Sequence, residues 1–182
     1  MGVNGEAVWR MTAQPSASPT DDPAFERLFR AEYGRVVAVA ARVLGSGSQA
    51  DDVAQDAFLA VHRRRCSDQP WAGGWVCAAA AHLALNVLRA DRRRNRRERA
   101  SSEPVERLDP AATVELASDR RVVRAALARL PRRSATVLVL RHSGFSYAEI
   151  AAAVGVKQGA VGTMLRRGES ALRKEVDRAS SQ

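Results

Sequence analysis

In the stretch "KQGAVGTMLRR", Gln158, Gly159, Gly162, Thr163 and Arg166 fall on one side of a helix at 3.6 residues per turn. Glutamine and arginine pair with base edges, threonine reaches a base or a phosphate, and glycine lets a backbone approach closely. Just before it, "SYAEIAAAVG" carries a short helix signal that ends in Gly155. Ser146 followed by Glu149 is a capping box, in which each side chain satisfies the other's free backbone N–H. A short helix, a tight turn and a second helix with a polar outer face are what entry into a major groove requires. The same residues would also make an ordinary hairpin of two packed helices.

Two further clusters carry charge. From Arg89 to Arg99 there are seven arginines against Asp91 and Glu98, enough to neutralise several phosphates. Trp71 and Trp75 precede that run and could stack on unpaired bases, although Trp75 also suits a core. Asp51, Asp52, Gln55 and Asp56 share an outer helix face. They form no metal pattern, because no histidine or further carboxylate completes one, and their plainest role is to favour a helix dipole.

Other chemistries lack their parts. There is no nucleophile elbow, no Walker motif and no dinucleotide fingerprint, so neither catalysis nor a cofactor is expected. Cys66 and Cys77 form no disulfide framework or zinc site, and His62, His82 and His142 are scattered.

The elements that must position these residues read as helices throughout. Hydrophobic residues are 46% of the 182 but aromatics only 5%, which favours helix over sheet. Phe25, Leu28, Phe29, Val36, Val39, Ala40 and Val43 trace one helical stripe between Pro23 and Gly45. Val53, Ala54, Ala57, Phe58 and Val61 trace a second, with Ser48 and Asp51 as a variant capping box. "CSDQPWAGG" reads as a loop, followed by a helix from Trp75 with Ala79, Leu83 and Asn86 near one stripe. Beyond a linker rich in Ser and Pro, "VELASDRRVVRAALARL" is helical. The β-branched "ATVLVL" is read as helix because its flanks are helical and no partner strand is present. The expected fold is all-α. Residues 1–23 form a flexible tail, 24–99 a first helical domain, and 100–113 a flexible linker. Residues 114–178 form a four-helix domain with a helix-turn-helix, and 179–182 a short tail.

The formal charge of +9 favours a polyanionic partner, nucleic acid before membrane, unless it reflects an Arg-rich proteome. "WVCAAAAHLALNVL" is the most apolar run and is too short to span a bilayer. The N-terminus lacks the basic start and apolar core of a signal peptide, and Glu6 spoils a Met1-Gly2 lipidation signal. A soluble, cytoplasmic protein without membrane insertion is expected.

From about Phe25 to Lys174 the layout resembles the extracytoplasmic-function alternative sigma factors of bacterial RNA polymerase. "FERLFRAEYGRVVAVAARVLGSGSQADDVAQDAFLAVHRR" looks like the start of that family's first domain. There the resemblance assigns Asp51, Asp52, Gln55, Asp56 and Phe58 to docking on core polymerase. "WAGGWVCAAAAHLALNVLRADRRR" looks like the segment that recognises and opens the −10 element, with Trp75, Leu83, Leu85 and Arg89 on pattern. This gives Trp71, Trp75, His82, Asn86, Arg89, Arg92 and Arg93 as −10 candidates. "LPRRSATVLVLRHSGFSYAEIAAAVGVKQGAVGTMLRRGESALRK" looks like the domain that binds the −35 element. Its candidates are Lys157, Gln158, Thr163, Arg166 and Arg167. Ala81 and His82 stand where the family often has a basic residue and Asn, and Asn86 replaces its usual Asp. Gly162, Thr163 and Met164 replace a common Lys-Ser-Arg, so two basic groups are missing from the −35 helix.

The resemblance implies a non-enzymatic protein. It would bind core RNA polymerase, hold double-stranded and locally melted promoter DNA, and answer to an anti-sigma factor of the sort common in the family. The rival readings are a stand-alone helix-turn-helix regulator that never joins polymerase, and an interaction protein whose DNA surface has decayed.

Overall fold

The computed structural model describes residues 22–45, 47–101 and 114–180, and the expected tails and linker lie almost wholly outside them. The described residues form seven α-helices and no strand: α1 Pro23–Leu44, α2 Gly47–Arg64, α3 Ala72–Ser101, α4 Val114–Arg129, α5 Arg132–His142, α6 Tyr147–Val154 and α7 Gln158–Ser180. The segment "ATVLVL" is therefore helical, and its six residues, Ala135–Leu140, are all buried.

Local chemistry accounts for several helix ends. Asp22 Oδ1 accepts from the backbone N–H of Ala24 and of Phe25, both at 3.0 Å, and Pro23 occupies the first position of α1, where no N–H is needed. Gly45 stops α1 at φ 78°. The Ser146–Glu149 capping box at the start of α6 is complete: Ser146 N–H donates to Glu149 Oε2 at 2.8 Å, and Glu149 N–H to Ser146 Oγ at 3.2 Å.

Two expected starts differ. α2 begins at Gly47, so Ser48 lies inside the helix rather than capping it. Asp51 then falls beyond the first turn, where the helix dipole no longer explains it. α3 begins at Ala72, so Gly73 and Gly74 are helical rather than loop punctuation. Their lack of a side chain serves close packing. A Cβ on Gly73 would lie 2.9 Å from Glu32 Oε1, and one on Gly74 would lie 3.6 Å from the Ala153 Cβ.

α1, α2 and α3 form the first unit. Val36, Val39 and Val43 of α1 face Val53, Phe58 and Val61 of α2 and the alanine-rich side of α3 in one core. The four helices α4 to α7 form the second, built on Leu127, Leu138, Leu140, Phe145, Ile150, Val161 and Leu165. The two units are not separate bodies. α3 packs against α4, α5 and α6 as well as against α1 and α2. Consequently residues 76–81 are buried without a break, all round the helix. The sequence pattern predicted one buried stripe on α3, and the structure has two.

Candidate nucleic-acid interface

The helix pair α6–α7 is set by three local devices. The capping box starts α6, Gly155 ends it in the left-handed region at φ 66°, and Arg133 donates to the Val154 carbonyl at 3.1 Å. Ile150, Val161 and Leu165 hold the pair against the core. This leaves Lys157, Gln158, Gly159, Ala160, Arg166 and Arg167 exposed, with Thr163 half-buried among them. Thr163, Arg166, Arg167, Ser170 and Lys174 line an open concavity on the same helix. Ser170 and Lys174 were not singled out in the sequence, although both continue the polar face one and two turns on. Gly162 lies beside Tyr147, whose ring carbon would be 3.5 Å from a Cβ there. Tyr147 itself is 40% exposed, with the Arg141 guanidinium 5.4 Å from its ring centre.

On α2, Asp52, Gln55 and Asp56 are exposed, and Asp51 is half-buried, accepting from the Tyr33 hydroxyl at 3.3 Å. Phe58 differs from the expectation of a partner-contacting residue. It is 2% exposed and ringed by Phe25, Phe29 and Tyr33, with the Phe29 ring centre 4.8 Å away. Its role is to seat α1 on α2. The apolar residue that does reach the surface beside the acids is its neighbour Leu59, 46% exposed, which sequence reading missed. Its signal was present as a leucine falling between two inward positions.

The −10 candidates on α3 are divided. Trp71 and Arg93 are exposed. Trp75 is buried at 6%, and the Arg64 guanidinium covers its ring at 4.9 Å, so it stacks on protein rather than presenting a face to a base. His82, Asn86 and Arg89 recur at helical spacing and lie where the second unit packs. His82 Nε2 is 3.3 Å from Arg132 Nη1. Burial and the Arg132 and Arg89 charges push the His82 imidazolium below its ordinary pKa. Arg89 donates from Nε to the Ala128 carbonyl at 3.2 Å and from Nη2 to the Leu130 carbonyl at 2.8 Å, capping the end of α4. Arg92 is half-buried near Arg129 and Glu175. Asn86 Oδ1 and Arg89 Nη1 are buried without a hydrogen-bond partner.

Cys66 and Cys77 are free and buried. Burial and the neighbouring Glu32 carboxylate push the Cys77 thiol up to about 12, which leaves it unreactive at neutral pH. Among the described residues no group of His, Cys, Asp and Glu could hold a metal ion, and no helix is long and apolar enough to cross a membrane.

Comparison with known proteins accounts for the whole layout. Residues 28–94 match the Sigma-70 region 2 family and residues 120–172 the Sigma-70 region 4 family. The extracytoplasmic-function RNA polymerase sigma factor SigE of Mycolicibacterium smegmatis is 32% identical over 186 residues, spanning 98% of this chain and 70% of that protein. The RNA polymerase sigma factor CarQ of Myxococcus xanthus is 33% identical over 157 residues, spanning 83% of this chain and 88% of that one. The solved sigma factor RpoE of Bartonella quintana, crystallised with the anti-sigma factor NepR, shares the fold with a TM-score of 0.50 at 18% identity. The match covers 84% of this chain and 96% of that one. A stand-alone regulator would need only the second unit, whereas both units match in order. The chain belongs to the extracytoplasmic-function sigma factors, and it is an alternative sigma factor that directs RNA polymerase to begin transcription.

Proposed function

We propose a division of that work among three helices, within a cytoplasmic protein that is not itself an enzyme. α2 offers core polymerase the carboxylates of Asp52 and Asp56 and the amide of Gln55, around the apolar side chain of Leu59. α7 lays Gln158, Thr163 and Arg166 against −35 base edges, while Lys157, Arg167, Ser170 and Lys174 hold phosphates. α3 and its arginine-rich end capture the unpaired −10 strand. Opening a base step costs a few kcal/mol, which stacking and phosphate contacts on the captured strand offset.

The observation that carries this reading is the exposed outer face of α7 behind a complete capping box and a left-handed Gly155. It occurs in a chain whose α2 keeps its acidic face outward. With Gly162 and Met164 in place of basic residues, α7 holds the −35 duplex by fewer phosphate contacts, so promoter choice leans on the −10 side. Quantitative footprinting of the reconstituted holoenzyme on genomic promoter fragments tests the assignment. Arg166→Ala should relax base preference within the −35 protection, and Lys174→Ala should weaken all fragments alike. Unchanged −35 preference in Arg166→Ala would remove α7 from base reading.

A further inference from the structure

The turn that orients α7 is held from outside the helix pair. The backbone N–H groups of Gly155 and Val156 both donate to the Ala151 carbonyl, which closes the end of α6. The Val154 carbonyl is met instead from α5, where Arg133 donates to it from Nη2 at 3.1 Å. Arg133 stands in the first turn of α5, the positive end of that helix, where the dipole disfavours a cation. At the carbonyl end of α6 the same guanidinium is favoured. The placement suits the end of α6 that it serves rather than the helix that carries it. The backbone around it is fixed by the corner at Pro131: Leu130 N–H donates to the Leu127 carbonyl at 3.2 Å, and Ala135 N–H to the Pro131 carbonyl at 3.0 Å. α7 has need of such a tie. Gly159 and Gly162 both lie within its first five residues, and its first turn holds no acidic residue to answer the dipole. Val156, partly buried against the core, anchors the turn from within, and Arg133 anchors it from without.

We infer that Arg133 is a positioning residue for −35 recognition: its bond to the Val154 carbonyl fixes the turn, and through the turn the angle at which Gln158, Thr163 and Arg166 meet the bases. This rests on α7 being the −35 reader. The bond joins an exposed arginine to a carbonyl at a helix end and adds little to stability. Readout of base edges is less forgiving, because paired hydrogen bonds fail when the side chains that make them move by a fraction of an ångström. Loss of Arg133 is therefore felt in the choice of bases before it is felt in the fold. Gly162 and Met164 sharpen the dependence, since an α7 with few phosphate contacts has little else to hold its angle on the duplex.

Three variants test the inference: Arg133→Ala, Arg133→Lys and Arg166→Ala. Each is reconstituted with core polymerase and footprinted on a promoter that the native chain transcribes, and on copies with single base changes in the −35 element. One mismatched pair typically weakens binding roughly five- to 150-fold. Arg133→Ala should shrink that penalty at least about threefold, with the salt dependence of −35 occupancy unchanged and the melting temperature of the chain within about 2 °C of native. Arg133→Lys keeps a cationic donor and should restore most of the discrimination. Arg133→Ala discriminating as well as the native chain, while Arg166→Ala does not, would overturn the positioning role and leave α7 as the reader. Intact discrimination with a salt slope lower by about one would overturn it in favour of a direct phosphate contact. A loss of discrimination that merely tracks a loss of melting temperature would leave Arg133 a residue of the fold alone. If Arg166→Ala also leaves discrimination intact, α7 does not read the −35 bases, and the role of Arg133 falls with that reading.

Discussion

Replacing Glu149 by glutamine separates the two tasks of one side chain. Glu149 accepts from the Ser146 N–H at 2.8 Å within its own unit and pairs with Arg35 of the first unit at 3.0 Å. The Ser146 backbone bond, and after it Arg35, hold the Glu149 carboxyl down at about 2. Taken whole, that depression from 4.5 would be worth about 3 kcal/mol, but a side chain 44% exposed is screened by solvent and about 1 kcal/mol is the realistic share. Glutamine keeps an acceptor for Ser146 and loses the charge that Arg35 meets. Glu149→Gln should therefore destabilise the chain by about 0.5–1 kcal/mol at neutral pH, and Glu149→Ala by about 1–2 kcal/mol because the capping bond goes too. The sign of the pH dependence follows from the depressed folded value. The contribution is complete above about 4.5 and fades as pH falls toward about 2. Urea unfolding of the native chain, Glu149→Gln, Arg35→Ala and the double variant closes a thermodynamic cycle. A coupling of about 0.3–1 kcal/mol is expected, shrinking in salt. Strict additivity, or a coupling that persists undiminished once the pH falls to about 2, would refute the reasoning.

Three further outcomes are expected. Charge reversal of Asp52 and Asp56 should weaken core-polymerase binding by about tenfold or more with an unchanged melting temperature, and Leu59→Ala should do the same more mildly, whereas Phe58→Ala should cost about 3–5 kcal/mol of stability. Gel-shift titrations and thermal melts distinguish these, and a Phe58→Ala chain that melts normally would contradict its place in the core. Gly155→Ala forces a side chain into the left-handed region at φ 66° and should cost about 1–2 kcal/mol, read by chemical denaturation. Because burial and the Arg132 charge lower its folded pKa, His82 holds a proton less readily in the folded chain than in the unfolded one. Stability should fall as pH drops through the ordinary histidine value of 6.5, and His82→Gln should flatten that slope in urea midpoints.

Much of the fold is written in local signals. The Asp22–Pro23 start, Gly45, Ser146 with Glu149, and Gly155 each mark a boundary that needs no knowledge of the rest of the chain. The helix-turn-helix was legible for that reason, and so was the acidic face of α2, because Val53, Ala57 and Phe58 contrast with their neighbours. What eluded sequence reading depends on partners far along the chain. Periodicity reveals a second buried face only when the two faces differ in character, and an alanine-rich α3 looks alike on both. The place of Arg89 on the α4 carbonyls, and of His82 against Arg132, is set by tertiary packing alone. Trp75 illustrates the same limit. A tryptophan ahead of a basic helix suits base stacking as well as core packing, and its burial in the core beneath the Arg64 guanidinium decides between them.

The most direct measurement of the central assignment is run-off transcription by core polymerase, with and without this chain, on a library of genomic fragments. Transcripts that start at a defined spacing from a shared −10 and −35 sequence, require the chain, and disappear with the Asp52 and Asp56 charge reversal are the expected result. Chain-dependent DNA binding with no chain-dependent transcript, and no retention of the chain by core polymerase, would contradict it.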